Sequence, residues 1–211
     1  MSERAASTVH RIVSGQFREN GYVLEGVDSN ALIIDPGTDA NAFKSLIAQQ
    51  GCKPRAILNT HAHFDHIGSV SALMERYDIP FYLHKNDATL LRQANIYRSL
   101  FKETEMLQIP PTFSDLSVEN GSLSIAGFDI KILETPGHTK GSTCFRIGDL
   151  LFTGDTLFGK GPGRINLPGG SATDMDASQA FLATLPGNLI VHPGHGEIVP
   201  MSQIRERMGA G

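Results

Sequence analysis

The segment THAHFDH, residues 60–66, places three histidines and an aspartate directly after the apolar run RAILN. The apolar run predicts a buried strand, and the pattern GSVSALMERY that follows the segment predicts a helix. The histidine cluster therefore lies on a loop at the carboxyl end of a strand. Open α/β sheets bind ligands at this edge, so the segment favours an α/β fold with a ligand site there.

The composition is that of a globular domain with a sizeable core, since the 211 residues are 40% hydrophobic and 19% charged. A net charge of -4 without a long Lys/Arg run argues against nucleic acid as a partner. The polar N-terminus lacks the apolar core of a signal peptide, and no later run is long enough to span a bilayer. We therefore expect a cytoplasmic protein with no membrane partner. The two cysteines, Cys52 and Cys144, predict buried apolar side chains rather than a disulfide framework.

Two halves, about residues 1–115 and 116–211, share a plan of strands followed by helices. In the first half, VHRIV, GYVLEG and ALIIDPG predict a strand meander, with turns at Asn20-Gly21 and at residues 28–30. NAFKSLIAQQGC predicts a helix that ends at Gly51, FYLHK predicts a strand, and NDATLLRQANIYRSLFKETEML predicts one or two helices. A polar, proline-bearing stretch over residues 108–120 separates the halves.

The second half begins with a predicted hairpin in SLSIAGFDIKILET and strands in STCFRIG and DLLFTGD. A glycine-rich loop over residues 159–170 follows. DMDASQAFLATL then predicts a helix, NLIVH a strand, and SQIRERM a closing helix. Two packed sheets with helices on both outer faces would bury this set of elements, and we expect them to form one domain over residues 1–211.

The spacing within THAHFDH predicts two metal sites. His61 and His63 are two residues apart, and such side chains point the same way on an extended segment, so they can bind one ion together. Asp65 and His66 follow where the chain turns into the helix, and they could hold a second ion nearby. A catalytic zinc with an open position needs a third protein ligand.

Three later residues can complete these sites, because each also lies at the carboxyl end of a predicted strand. They are His138 in TPGHTKGS, Asp155 in LLFTGDTLF and His195 in VHPGHGE. Each stands beside glycine, which allows the tight backbone turn that aims a ligand at a shared centre. The two oxygens of a carboxylate can each bind one cation, so Asp155 is suited to bridging two ions.

Other histidines and an aspartate have simpler explanations. A single histidine at a strand end is usually a hydrogen-bonded structural residue, and we interpret His10, His84 and His192 in this way. Asp35 precedes Pro36-Gly37, and we interpret it as a turn former.

The ordered motifs resemble those of the metallo-β-lactamase superfamily. The family signature His-x-His-x-Asp-His corresponds to residues 61–66, and the resemblance also includes DPG at 35–37, GHT at 137–139, GDT at 154–156 and PGHG at 193–196. The resemblance covers nearly the whole chain. It implies an α/β fold of the four-layer αβ/βα sandwich type, with two mixed β-sheets flanked by helices.

The same resemblance implies a dinuclear metallohydrolase. One ion would be held by His61, His63 and His138, the other by Asp65, His66 and His195, with Asp155 bridging the two. Asp65 and Asp155 would also act in catalysis by orienting the nucleophile, a metal-bound hydroxide. Imidazole and carboxylate ligands suit two divalent ions such as Zn²⁺, with Fe and Mn as alternatives.

Within the family, GHTKGS followed by GDTLF is most similar to the glyoxalase II group of thioester hydrolases. The expected substrate is a small acyl thioester such as S-lactoylglutathione. β-Lactamases of the family lack the bridging aspartate and are secreted, which disfavours antibiotic hydrolysis. Glyoxalase II itself carries a helical C-terminal glutathione-binding domain, whereas this chain ends shortly after His195, so we expect the compact single-domain type. Arg164, and with it Lys160, would bind the substrate, and the protein would be a monomer or a small homo-oligomer.

Three other functions remain open at this stage. Persulfide dioxygenases share the fold but hold one iron, which would here be bound by His61, His138 and Asp155; PGHG at residues 193–196 favours two metals instead. Lactone or phosphoester hydrolysis needs the same nucleophile. A binding module that had lost its chemistry would be expected to lack at least one ligand, and all seven are present.

Overall fold

The computed structural model of the protein describes residues 8–117 and 121–209. Its strands are, in chain order, Thr8–Ser14 (β1), Glu19–Glu25 (β2), Asn30–Ile34 (β3), Lys53–Leu58 (β4), Phe81–Leu83 (β5), Ser114–Asp115 (β6), Ser122–Ile125 (β7), Phe128–Glu134 (β8), Thr143–Ile147 (β9), Leu150–Gly154 (β10), Ile190–Pro193 (β11) and Val199–Pro200 (β12). Its α-helices are Ala40–Gln50 (α1), Phe64–Ile67 (α2), Val70–Tyr77 (α3), Ala88–Arg92 (α4), Ala94–Leu100 (α5), Ala172–Ala183 (α6) and Met201–Arg207 (α7). Two short 3-10 helices cover Val27–Ser29 and Lys85–Asp87.

In these described residues the strands form two sheets, one from each half of the chain. The first sheet has the order β1-β2-β3-β4-β5-β6, antiparallel from β1 to β3 and parallel from β3 to β6. The second has the order β12-β11-β10-β9-β8-β7, in which only the β10–β11 pair is parallel. Both sheets are therefore mixed, as the sequence predicted.

Side chains along each strand point alternately to the two faces of its sheet, and the buried ones form a hydrophobic core of three layers. Along β3, Ile33 packs with helices α1 and α3 on the outer face of the first sheet, while Leu32 and Ile34 face the second sheet. Along β10, Phe152 faces the first sheet, and Leu151 packs with α6 and α7. The order of layers is helix, sheet, sheet, helix, so the predicted four-layer αβ/βα sandwich is confirmed.

The first turn lies elsewhere than predicted. Asn20 and Gly21 are inside β2, and the chain turns at residues 15–18 instead. Asn20 is buried, and its side-chain amide donates to the Pro193 and Gly196 carbonyls of the second half. These long-range hydrogen bonds therefore outweigh the turn preference of the Asn-Gly pair. A rule based on neighbouring residues alone cannot predict such contacts.

Most other elements agree with the sequence patterns. The long helical run divides into α4 and α5 at Gln93. The polar stretch over residues 108–120 contains the short strand β6, which was not predicted, and its last three residues lie outside the described part of the chain.

Cys52 and Cys144 are free and buried. No helix within residues 8–117 and 121–209 is both long and apolar enough to cross a membrane.

Candidate metal centre

The site lies where β4, β10 and β11 end, together with the loop between β8 and β9. β4 ends at Leu58, and the chain continues through His61 and His63 before α2 begins at Phe64. Gly154 closes β10 immediately before Asp155, and Pro193 closes β11 two residues before His195. The carboxyl ends of the parallel pair β10–β11 thus deliver two side chains to the loop that carries THAHFDH.

The first ligand group is His61, His63 and His138, whose ligand atoms all lie within 4.8 Å of one another. Nε2 of His138 lies 2.8 Å from Nδ1 of His63. All three side chains are buried. This group joins two residues of the first half of the chain to one of the second half.

The second ligand group is Asp65, His66 and His195, again with ligand atoms within 4.8 Å of one another. Nε2 of His195 lies 3.5 Å from Oδ2 of Asp65. Gly194, which precedes His195, cannot be replaced by a larger residue, because a Cβ there would collide with the Asp155 carboxylate and the His66 ring.

Asp155 lies between the two ligand groups. Its Oδ2 is 3.4 Å from Nε2 of His138 in the first group and 3.6 Å from Nε2 of His195 in the second. Its Oδ1 is 3.5 Å from Nε2 of His66. One carboxylate is therefore in contact with side chains of both groups.

The donor set fits bound cations. Among the described residues, Nε2 of His61, Nε2 of His66 and Oδ1 of Asp155 are buried without a hydrogen-bond partner. Buried polar atoms are nearly always paired, so a cluster of unpaired lone pairs calls for a further partner. Imidazole nitrogens and carboxylate oxygens that face one another suit zinc, iron or manganese.

Outer hydrogen bonds hold the histidine rings in the matching orientation. Nδ1 of His138 donates to the Arg164 carbonyl at 2.6 Å, and Nδ1 of His195 donates to the Phe17 carbonyl at 3.0 Å. A carbonyl can only accept, so both rings carry their proton on Nδ1 and direct the Nε2 lone pair into the site. Such outer partners fix ligand orientation in metal sites.

The role of Asp35 is larger than the turn that was predicted for it. Its carboxylate accepts from the Thr60 amide at 2.7 Å, from the Thr60 hydroxyl at 2.6 Å and from Nδ1 of His66 at 3.2 Å. Asp35 follows β3, and β3 pairs with β4, so the sheet carries it to the metal centre. The local residue pattern at Asp35 indicates only a turn, because the contact with His66 spans 31 residues.

Electrostatics around the ligands favour positive charge in the site. Burial lowers the pKa of His63 to about 3, and it also lowers the pKa of His61, so both rings are in the neutral form that binds metal. Burial opposes ionisation of Asp65, but neighbouring His66 keeps the pKa of this carboxyl below its usual range. Burial likewise disfavours charge on His66, yet Asp155 and Asp65 raise its pKa. The carboxylates therefore attract a cation.

Asp87 is a buried carboxylate that the sequence patterns did not indicate, and its hydrogen bonds connect the two halves of the chain. Asp87, at 1% exposure, accepts from the Ala62 amide at 3.0 Å, the Thr139 hydroxyl at 2.8 Å and the Gly141 amide at 2.8 Å. Ala62 lies between His61 and His63, and Thr139 follows His138. Asp87 thus fixes the loops of the first ligand group relative to one another.

Glu19 is a second buried carboxylate that the sequence did not single out. It is 1% exposed, and its Oε1 lies 3.8 Å from Nδ1 of His66. Burial raises the pKa of Glu19 well above its usual value. It occurs in an ordinary strand pattern without a metal motif, so no local signal marks it.

A cavity of about 340 Å³ opens onto the ligands. Phe17, Phe64 and Phe101 form an aromatic wall beside it, with ring centroids 5.5–5.6 Å apart. Arg164 lines this cavity and is exposed. Lys160 belongs to the same loop but lines a different depression, together with Gln179 and Arg207. Of the two predicted substrate-binding residues, only Arg164 is brought to the ligands.

The histidines interpreted as structural lie outside both ligand groups. His84 accepts a hydrogen bond from the Asn86 amide, and His192 packs against the Tyr22 and Phe152 rings. His10 lies 3.4 Å from Glu25 across β1 and β2.

Comparison with known proteins gives one family. The profile of the metallo-beta-lactamase superfamily matches residues 14–200. The probable metallo-hydrolase YqgX of Bacillus subtilis (strain 168) is 38% identical over 191 residues, which cover 88% of this chain and 89% of the relative. The hydroxyacylglutathione hydrolase of Nitrosomonas eutropha is 35% identical over 179 residues, but the match covers only 62% of that longer protein.

Two solved structures are similar along almost the whole chain. The BLEG-1 B3 metallo-beta-lactamase has a TM-score of 0.88 at 35% identity, covering 94% of this chain and 97% of the other. TTHA1623 in a di-iron-bound form has a TM-score of 0.84 at 35% identity, covering 94% and 98%. The second of these two similar structures contains two iron ions.

Proposed function

The chain belongs to the metallo-beta-lactamase superfamily of metallo-hydrolases, and we propose that it is a dinuclear hydrolase of small acyl thioesters. The observation that carries the proposal is the position of Asp155. Its carboxylate contacts His138 of the first ligand group and both His66 and His195 of the second. A single ion in the first group would leave Asp65, His66 and His195 without a metal.

Each ligand residue has a distinct task in this proposal. Two divalent ions, when bound, would lower the pKa of a water molecule and polarise the substrate carbonyl. The six remaining ligands would hold the ions, and Asp155 would keep the two groups at a fixed separation. Asp65 and Asp155, which both line the cavity, would orient the attacking water. The aromatic wall excludes bulk water from the carbonyl.

The cavity lining supports a substrate with a good leaving group. Apart from the ligands, the lining is apolar or aromatic except for the Tyr97 hydroxyl and the Arg164 guanidinium. Tyr97 donates its proton to Gln93 at 3.1 Å, so it is not directed at the reacting atoms. A thiolate departs without protonation, whereas an amine or alkoxide needs a proton donor. Thioesters therefore suit this lining better than amides.

The similarity to hydroxyacylglutathione hydrolase supports the acyl thioester class, with S-lactoylglutathione as the first candidate. Arg164 at the cavity would contact a carboxylate remote from the reacting carbonyl. β-Lactam hydrolysis is the rival within the family, because one similar structure is a metallo-beta-lactamase.

A substrate panel on metal-loaded protein tests the proposal. Protein loaded with zinc, iron or manganese is assayed on S-lactoylglutathione, a neutral thioester, a lactone, a phosphodiester and a β-lactam, and on glutathione persulfide with an oxygen electrode. We expect thioesters to give the highest kcat/KM and a chelator to abolish it. A preference for the β-lactam, or oxygen consumption with one bound iron, contradicts the proposal.

A further inference from the structure

His195 is the proposed metal ligand that depends most on the position of its loop. Its side chain is 24% exposed, whereas those of His61 and His66 are buried. Gly194 and Gly196 flank it, and Gly196 has a φ of 82°. Glycine loses more conformational freedom on folding than any other residue, so a loop bounded by glycines is costly to fix. Contacts to the loop backbone must therefore hold the His195 ring in place.

Asn20, a buried residue of β2, contacts this loop on both sides of His195. Its backbone amide donates to the Gly194 carbonyl at 2.7 Å. Its side-chain amide donates to the Pro193 carbonyl at 3.0 Å and to the Gly196 carbonyl at 2.9 Å. A side-chain amide has two hydrogens, and both are bonded to the loop. Asn20 therefore fixes the loop before and after the ligand.

Neighbouring residues of the first half hold the same loop. The Phe17 carbonyl accepts from Nδ1 of His195 at 3.0 Å, and Glu19 forms an isolated antiparallel β-bridge with His195. The Tyr22 hydroxyl donates to the Pro193 carbonyl at 2.7 Å. The turn before β2 and the first residues of β2 thus hold a loop of the second half by backbone and side chain together.

We propose that Asn20 is a positioning residue for the second ion of the metal centre. It fixes His195 within the second ligand group and leaves the first group unaffected, because both of its side-chain donors are used on the His195 loop. This inference rests on the two-ion centre of the proposed function. It goes further by assigning control of one ion to a residue that lies outside the ligand motifs.

The test is a zinc titration of metal-free protein, in which competition with a chelating dye resolves the affinities of the two ions. His195→Ala should lose the second-ion step and so identifies it. Asn20→Ala should weaken that step about tenfold, as for other outer residues of metal sites, and leave the other step unchanged. Asn188→Ala is the matched control and should change neither step, because it removes an exposed amide bonded to Asp149.

A double variant separates positioning from a general loss of structure. In the His195→Ala background, Asn20→Ala should no longer change metal affinity, because the ring that it positions is absent. Weaker binding of the first ion in that background overturns the inference, as do equal losses of both ions in Asn20→Ala. Tyr22→Phe removes one bond to the same loop and keeps the ring. It should weaken the second ion less than Asn20→Ala does, and it provides the test if Asn20→Ala does not fold.

The titration uses no substrate, so its outcome is separate from that of the proposed reaction. Selective weakening of the second ion supports the inference even if no thioester is hydrolysed. Thioester hydrolysis together with an unchanged second-ion affinity in Asn20→Ala and Tyr22→Phe rejects the inference and leaves the proposed function standing. A single binding step in the wild type rejects the inference together with the two-ion centre.

Discussion

The two halves of the chain supply the proposed metal ligands in different ways. The first half provides four ligands from one continuous segment, residues 61–66, on the loop after β4 and the short helix α2. The second half provides His138, Asp155 and His195 from three separate loops. Neither of these two ligand groups is complete within one half, since the first needs His138 and the second needs His195.

This difference indicates how the proposed two-ion centre is assembled. The continuous segment can offer nitrogen and oxygen atoms, but only the second half closes each group and places a carboxylate between them. The packing of one sheet on the other is therefore what builds the site. Substitutions in the second half should have the larger effects on chemistry, and the first half should contribute mainly through the ligand segment and the residues that hold it.

Asp155→Ala should have the largest effect. It removes a carboxylate that contacts His138 of the first ligand group and His66 and His195 of the second, so at least one ion should be lost. Activity should fall roughly a thousandfold or more, as for loss of a group acting on the reacting atoms. Metal content and kcat/KM check this. Asp149→Ala, at the opposite end of β10, is the matched control and should behave as the wild type. An Asp155→Ala protein that keeps two ions and normal turnover would contradict the role given to the second half of the chain.

Asp87→Ala should have an intermediate effect, because Asp87 joins the loops of the two halves without being a ligand. Three buried donors lose their acceptor, at about 1–3 kcal/mol each, so thermal denaturation should show a clear loss of stability. Affinity for the metal in the first ligand group should fall about tenfold, as for other outer residues. Asp87→Asn retains one acceptor oxygen and should lose less of both. If Asp87→Ala leaves both the stability and the metal affinity unchanged, Asp87 does not position the loops of the first ligand group.

Arg164→Ala should have the smallest effect on the reaction. Its guanidinium would contact a remote carboxylate and give the same binding to ground state and transition state, so KM for an anionic thioester should rise about fivefold while kcat changes little. Arg55→Ala, on β4, is the control. If KM does not change, Arg164 serves only through its backbone carbonyl, which accepts from His138.

The sequence was most informative where contacts are local. The strands and helices follow from their periodicities, and the segment THAHFDH marks its own four candidate ligands. His138, Asp155 and His195 were recognisable from their position at the carboxyl ends of predicted strands, from the neighbouring glycines and from the family motifs. Asp87 and Glu19 had no signal, because their partners lie in distant elements, and Asn20 was misjudged for the same reason.

Metal content of the wild type and of His195→Ala, measured side by side, tests the two-ion centre most directly. His195→Ala removes one member of the second ligand group and leaves His61, His63 and His138 intact. After preparation with zinc available, elemental analysis should give about two ions per wild-type chain and about one per His195→Ala chain, with thioesterase activity lost in the variant. His10→Ala, outside both groups, should retain both ions. One ion in the wild type and a fully active His195→Ala protein would contradict the account.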